Sequence, residues 1–292
     1  VLLSSYSSGL FQLGREKQGD WRVVESWKAG SELPAGLFGD AQYTSSRSMV
    51  VVQYSRGILR VEDKQAKLLP IFEGSQDGSN LLRLLVRRSG DIWIAHTPSP
   101  FGQTVDTTLT IIRNDRLART IKIASRELAT IGRWVEVPER NSVFAATRAG
   151  VVEVNNSGAM TLLSTDSVSS ITRDPQTGLI GVAGTAVQRW DGKRFVPILY
   201  RVDHPRLPKG QFQPGTPIDI AVDKNGHWYL LYNSGVLALL DAAGNFVKLL
   251  DPEDGIPPTA RRLLVHLETG DLVVGSDNEG LAVILSPALA RQ

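Results

Sequence analysis

Val1-Leu-Leu-Ser-Ser-Tyr6-Ser-Ser-Gly9-Leu10-Phe11 lies over Met49-Val-Val-Val-Gln-Tyr54-Ser-Arg-Gly57-Ile58-Leu59 when the chain is slid along itself by 48 residues. Each copy has a short apolar run, Tyr-Ser-x-Gly, and a second apolar run. Self-similarity at a period of about 40 to 50 residues marks a chain built from one small unit that must stack to bury its faces. Five looser copies follow: Gly90-Asp-Ile-Trp93-Ile-Ala-His96, Asn141-Ser-Val-Phe144-Ala-Ala-Thr147, Gly178-Leu-Ile-Gly-Val-Ala183, Gly226-His-Trp228-Tyr-Leu-Leu-Tyr232 and Gly270-Asp-Leu-Val-Val-Gly275-Ser276. Variable spacing between them suits fixed strands joined by loops of differing length.

The unit around Gly226 shows four apolar segments, called A to D: Ile218–Val222, Trp228–Leu231, Val236–Leu240 and Phe246–Leu250. Turn clusters separate them, Asp223-Lys-Asn-Gly226, Asn233-Ser-Gly235 and Asp241-Ala-Ala-Gly244, with Gly where a positive φ is needed. The segments are too short for helices and rich in β-branched and aromatic residues, and no window keeps a 3.6-residue spacing. Four short antiparallel strands cannot cover both their own faces, whereas a ring of such sheets leaves no open end. The expectation is therefore an all-β fold, a single β-propeller domain over 1–292 with seven blades of four antiparallel strands. The first copy starts at its B strand and the last stops after C near Leu285, and there is no initiator Met, so the chain is expected to be a fragment of, or processed from, a longer one.

Composition narrows the chemistry. The 292 residues include no Cys, which removes disulfide frameworks, thiolate metal sites and thiol nucleophiles. Thirty-two Lys and Arg against 30 Asp and Glu leave a net charge of +2 spread along the chain, so nothing argues for nucleic acid. No apolar run reaches the roughly 18 residues of a membrane span, so no membrane insertion by this segment is expected. Gly-x-Ser-x-Gly, Gly-x-Gly-x-x-Gly and the Walker lysine loop are all absent, and no cofactor is expected.

Asp254-Gly-Ile-Pro257, followed by Gly270-Asp-Leu-Val-Val-Gly275-Ser-Asp-Asn-Glu-Gly280-Leu281, resembles the two-component regulator propeller repeat, as does Gly90-Asp-Ile-Trp-Ile-Ala-His96. Leu33-Pro34 echoes the Leu-Pro of that pattern. The resemblance covers about two units closely and the rest by pattern. It implies a non-catalytic sensor module in the periplasm or cell exterior, ahead of a membrane segment and an output domain in a bacterial signalling protein. The family offers no fixed catalytic residues to carry over.

In a propeller the B–C and D–A connections emerge on one face. Two long insertions fall there, Thr97–Asp106 with Phe101, and Tyr200–Pro217 with Arg201, His204 and Arg206. Long loops on a rigid scaffold commonly carry binding residues, though neutral insertions packed on a neighbour would read the same way. The ends of the B strands are polar in every copy and supply Tyr6, Tyr54, His96, Arg148, Tyr232 and Asn233. These residues suit a small polar ligand or a protein segment, with Tyr giving flat contact and a hydrogen bond; turn chemistry alone also makes strand ends polar. The preferred function is a non-enzymatic ligand-sensing or interaction propeller using these ten residues. The alternatives are a protein–protein scaffold in a larger assembly, or a propeller lyase or hydrolase with His96 or His204 as base.

The remaining motifs are read as structural. His96, His204, His227 and His266 lack the His-x-x-x-His spacing of a metal site. Asp251-Pro-Glu-Asp-Gly255 lacks the ordered ligands of a calcium loop. Trp93 and Trp228 belong to strand cores, and Trp190 to a blade edge. Arg87-Arg88 and Arg261-Arg262 are placed on A strands, with one of each pair facing the channel or a blade interface.

Overall fold

The computed structural model describes residues 1–16, 20–54, 56–71, 80–97, 107–123, 131–147, 149–176, 178–199, 215–266, 268–276 and 280–286. It is a β-propeller of seven sheets, each of three or four antiparallel strands, with helix limited to two single turns among the described residues. The chain divides into two compact units, Val1–Ile131 and Gly132–Gln292.

In the first unit, blade 1 has β1 (Leu2–Ser5), β2 (Gly9–Arg15) and β3 (Trp21–Lys28). Blade 2 has β4 (Phe38–Tyr43), β5 (Ser48–Gln53), β6 (Gly57–Glu62) and β7 (Gln65–Leu68), and blade 3 has β8 (Asn80–Val86), β9 (Ile92–Thr97), β10 (Thr107–Arg113) and β11 (Arg116–Ile123). The second unit opens with blade 4, β12 (Ile131–Val137), β13 (Ser142–Thr147), β14 (Gly150–Asn155) and β15 (Met160–Ser164). Blade 5 follows with β16 (Val168–Asp174), β17 (Gly178–Ala183), β18 (Ala186–Trp190) and β19 (Phe195–Leu199). Blade 6 has β20 (Pro217–Val222), β21 (Trp228–Tyr232), β22 (Leu237–Leu240) and β23 (Phe246–Leu250), and blade 7 has β24 (Ala260–Val265), β25 (Leu272–Ser276) and β26 (Leu281–Ile284). Among the described residues blade 1 has no A strand and blade 7 no D strand, the two places where the repeat copies are incomplete.

The Tyr-Ser-x-Gly repeat is a turn requirement. Ser5 pairs with Gly9, and Gln53 with Gly57, so each Gly is the first residue of a C strand, at φ near +120°. A Cβ on Gly9 would stand 2.0 Å from the Trp27 carbonyl oxygen, and one on Gly150, at the same place in blade 4, 1.7 Å from that of Ser164. Only glycine lets the D strand close over the turn.

Alternation along the B strands sends successive side chains to opposite faces of each sheet, and both faces are buried. Leu230 joins Ile180, Val182 and Ile220 between blades 5 and 6, whereas Leu231 joins Leu263, Leu272 and Val274 between blades 6 and 7. The core is accordingly a series of inter-blade layers.

Two placements differ from the sequence reading. Arg87 and Arg88 follow β8, and Arg87 is buried with its guanidinium 4.8 Å over the Trp93 ring, because a cation stacked on indole is a better neighbour there than channel water. His266, which the alignment of copies places on the last A strand, likewise follows β24, where its Nδ1 lies 3.0 Å from Thr269 Oγ1 in the turn. The Asp251–Gly255 loop is a single helical turn over Pro252–Asp254 whose first carboxylate accepts from the Glu253 N–H.

Candidate functional site

Of the ten residues expected at the binding face, Tyr6, Tyr54, His96, Tyr232 and Asn233 are described. Phe101, Arg148, Arg201, His204 and Arg206 lie outside the described residues. The register of the B strands sorts the polar ends into two sets.

The first set turns inward. Gln53 is fully buried, and its Nε2 donates to the carbonyls of Pro34 and Ala35 at 3.2 and 3.1 Å, holding the link into blade 2. Thr147 Oγ1 donates to Gly150 O at 2.8 Å, and Ser276 Oγ lies 2.6 Å from Thr259 Oγ1. His96 is 9% exposed, with Nε2 2.9 Å from Thr110 Oγ1, and burial lowers its pKa from 6.5 to about 4. It is a neutral, hydrogen-bonded core residue at pH 7, not an open ring on the binding face. Tyr232 is only 4% exposed, and burial pushes its hydroxyl above the ordinary phenol range. Its place in the B strand puts it among Val222, Val236 and Ala238 in the packed layer, which corrects its expected position at the mouth. Asn233 remains exposed but is engaged in the turn, where its Oδ1 accepts from Thr216 N at 3.1 Å.

The second set faces outward, and it brings together a pair. Tyr6 and Tyr54 occupy the B–C turns of blades 1 and 2, with ring centroids 6.0 Å apart and planes tilted by 55°. The link entering blade 2 fixes both: Phe38 N donates to Tyr6 O, and Tyr54 N to Leu37 O, each at 2.9 Å. Gly39 makes room for the second ring, since a Cβ there would stand 3.0 Å from Tyr54 Oη and 3.1 Å from Cζ. Tyr6 is 63% exposed and Tyr54 is half-buried. Burial raises the Tyr54 pKa first, and the nearby Asp40 carboxylate raises it further, so the Tyr54 phenol is a neutral donor at pH 7.

Asp40 and Arg83 complete the site, and the sequence pattern did not single them out. Arg83 Nη1 lies 3.7 Å from Asp40 Oδ1, while Asp40 Oδ2 accepts from Leu84 N at 3.1 Å. Residues of β4 and β8 therefore set one cation and one anion beside two aromatic rings. The signal that could have found Asp40 is an acidic residue inside an otherwise strand-like A segment, a position normally kept apolar. Chemically, the arrangement offers flat apolar contact, two hydroxyls and a partly exposed ion pair. Among the described residues no group of three His, Asp or Glu side chains is placed to hold a metal ion.

No family model matches the chain, and no curated protein matches it. Solved structures do resemble it. YCF48 bound to a D1 peptide aligns over 87% of this chain and 82% of its own, with TM-score 0.53 and 13% identity. The WD40 β-propeller domain of Doa1 aligns over 97% and 88%, with TM-score 0.64 and 11% identity. The extracellular domain assigned to a one-component system of B. thetaiotaomicron aligns over 97% of this chain and 39% of its own, with TM-score 0.58 and 12% identity. At these identities the likeness is one of fold.

Proposed function

We propose that the chain is a non-enzymatic interaction propeller, its seven blades forming one domain, and that it captures a peptide segment of a protein partner at the Tyr6–Tyr54 mouth. The observation that carries this reading is the aromatic pair, with Tyr6 largely exposed beside the Asp40–Arg83 ion pair. A tyrosine ring offers contact area at little entropic cost, and such residues are over-represented where proteins bind. A proline or aliphatic side chain fits against tilted rings, backbone amides meet the phenols, and the ion pair reads the charge of the segment. The peptide-bound state of one fold neighbour, YCF48, supports a peptide occupant over a small sugar. The extracellular setting of another, together with the Asp-Gly-Ile-Pro resemblance, supports a place in the periplasm or cell exterior as the sensing part of a signalling protein.

Selection of a displayed peptide library on the immobilised protein, followed by fluorescence anisotropy, tests the reading. Peptides so obtained should bind Tyr6→Ala/Tyr54→Ala at least about tenfold more weakly, as expected for truncating aromatic anchors. The melting temperature of that variant should stay within about 2 °C of the parent, since Tyr6 is exposed. Peptides that bind the double variant with unchanged affinity would sink the proposal.

A further inference from the structure

Among the described residues, blade 7 ends on a strand built like the interior of a sheet. In the same unit blades 4, 5 and 6 each place a fourth strand outside the C strand, and most residues of their C strands are buried. β26, Leu281-Ala-Val-Ile284, is the C strand of blade 7, and none of its four residues is buried. Ala282 and Ile284 pair with Val274 and Leu272, just as Ala238 and Leu240 pair with Leu230 and Trp228 in blade 6. Beside β23 those two are 0% and 1% exposed, whereas Ala282 and Ile284 are only half-buried against the layer between blades 6 and 7.

The backbone of β26 is equally open on its outer side. Ser276 N donates to Gly280 O at 2.9 Å, so in this antiparallel pair the bonded positions on β26 are Ala282 and Ile284. The N–H and C=O of Leu281 and Val283 point the other way and have no backbone partner among the described residues. Exposed edges are normally blunted by charge, proline or a bulge. The outer strands β3, β11, β15, β19 and β23 all shift register against their neighbours, and β7 carries Lys67. β26 pairs with β25 without a shift and has neither charge nor proline. Its far end is held, since Ser286 N donates at 2.7 Å to Oδ1 of the fully buried Asp271.

The outer strands of the same unit show what such an edge takes. β15, β19 and β23 read Met-Thr-Leu-Leu-Ser, Phe-Val-Pro-Ile-Leu and Phe-Val-Lys-Leu-Leu, each antiparallel to its C strand. Phe195 and Phe246 at the first place, with Leu163 and Leu249 at the fourth, pack into the layers between blades. From the unpaired backbone of Leu281 and Val283, the half-buried Ala282 and Ile284 and the lack of edge protection, we infer that β26 accepts an extended segment of a partner protein as a fourth, antiparallel strand. The segment carries Phe or Met at its first place and Leu or Ile at its fourth. Those side chains cover Ala282 and Ile284 while its backbone meets Leu281 and Val283. A second copy would present β26 itself, which has no Phe or Met to fill the first place. The inference does not rest on the Tyr6–Tyr54 mouth.

Titration of the intact chain with acetyl-Asn-Phe-Val-Lys-Leu-Leu-Asp-amide, the sequence of residues 245–251, tests it by fluorescence anisotropy of a labelled copy and by amide hydrogen exchange resolved by NMR. The peptide should bind saturably below about 1 mM, and a scrambled peptide at least about tenfold more weakly. At saturation the Leu281 and Val283 amides should exchange at least about tenfold more slowly. N-methylation of alternate peptide residues should abolish binding when it falls on one edge of the peptide and spare it on the other, the mark of strand pairing. Val283→Pro removes an N–H that β25 does not use, and Leu281→Lys adds the kind of charge that other outer strands carry. Each should weaken binding about tenfold or more, with the melting temperature within about 5 °C of the parent. Tyr6→Ala/Tyr54→Ala should leave it unchanged. Absence of binding up to about 1 mM, or binding indifferent to N-methylation on either edge, would overturn the inference. So would slow exchange of both amides in the free chain, which would mean that the place is already filled, by a second copy if the chain elutes as a dimer and by the chain itself if it elutes as a monomer.

Discussion

His96 shows how one residue of register separates a binding residue from a structural one. It stands at the end of a B strand, where Tyr54 is an outward ring one residue further on in blade 2, yet its ring hydrogen-bonds the Thr110 hydroxyl of β10 and is nearly closed to solvent. Burial disfavours the imidazolium, so the folded chain takes up this proton only near pH 4, while the unfolded chain takes it up near 6.5. Between those values the unfolded state binds more protons, and acid therefore favours unfolding. The difference is on the order of 3 kcal/mol over the whole window, and about 2 kcal/mol of it falls above pH 5, where ordinary carboxylates are still ionised. Urea midpoints measured from pH 7 to pH 5 should fall more steeply for the parent than for His96→Gln. Parallel slopes for the two proteins would show that His96 is protonated in the folded state.

At the scale of the strand, the exposed edge of each A strand sets a problem that side chains of neighbouring blades solve. An edge strand carries backbone groups with no partner in its own sheet. In the first unit Asp40 and Gln42 of β4 serve β8: Asp40 accepts from Leu84 N, Gln42 Oε1 accepts from Val86 N, and Gln42 Nε2 donates to Leu84 O, the last two at 2.8 Å. In the second unit Asp219 of β20 plays the same part for β24, accepting from Leu263 N at 2.8 Å. Asp219 is fully buried, and its other oxygen takes Arg133 Nη1 at 2.7 Å and Ser170 Oγ at 2.5 Å, so a single carboxylate ties together the A strands of blades 4 to 7. Asp219→Ala should cost about 3–5 kcal/mol in urea unfolding, because it strands a partly buried guanidinium and a buried N–H. Arg133→Ala combined with it should cost less than the two single losses together, by at least about 1 kcal/mol. Asp251→Ala, which removes an exposed cap of the turn before β24, should cost only about 1 kcal/mol. Equal effects at positions 219 and 251 would mean that the buried carboxylate is not what joins these strands.

Across the whole molecule, the repeat was legible because turn chemistry is local: Gly9, Gly57 and Gly150 all take a positive φ at the start of a C strand, and each leaves a mark at a fixed place in its copy. The four strand segments of blade 6 were read within a residue or two for the same reason. Groups that act between blades leave no such mark. Asp40 and Leu84, like Asp219 and Leu263, are 44 residues apart, and nothing in the intervening sequence announces the pairing. Legibility thus ends where contacts leave the blade, and stability is expected to behave in the same terms. The apolar residues form layers between successive blades, so a defect in one layer should be felt by the two sheets that share it before any other. Leu230→Ala and Leu231→Ala test this with adjacent residues, both fully buried, that belong to different layers. Each should cost about 2–5 kcal/mol. Hydrogen exchange should nevertheless distinguish them: Leu230→Ala should speed exchange first in β16–β23, and Leu231→Ala first in β20–β26. A common pattern of exchange in the two variants would show that blades 5 to 7 share one undivided core, and the layered account would fail.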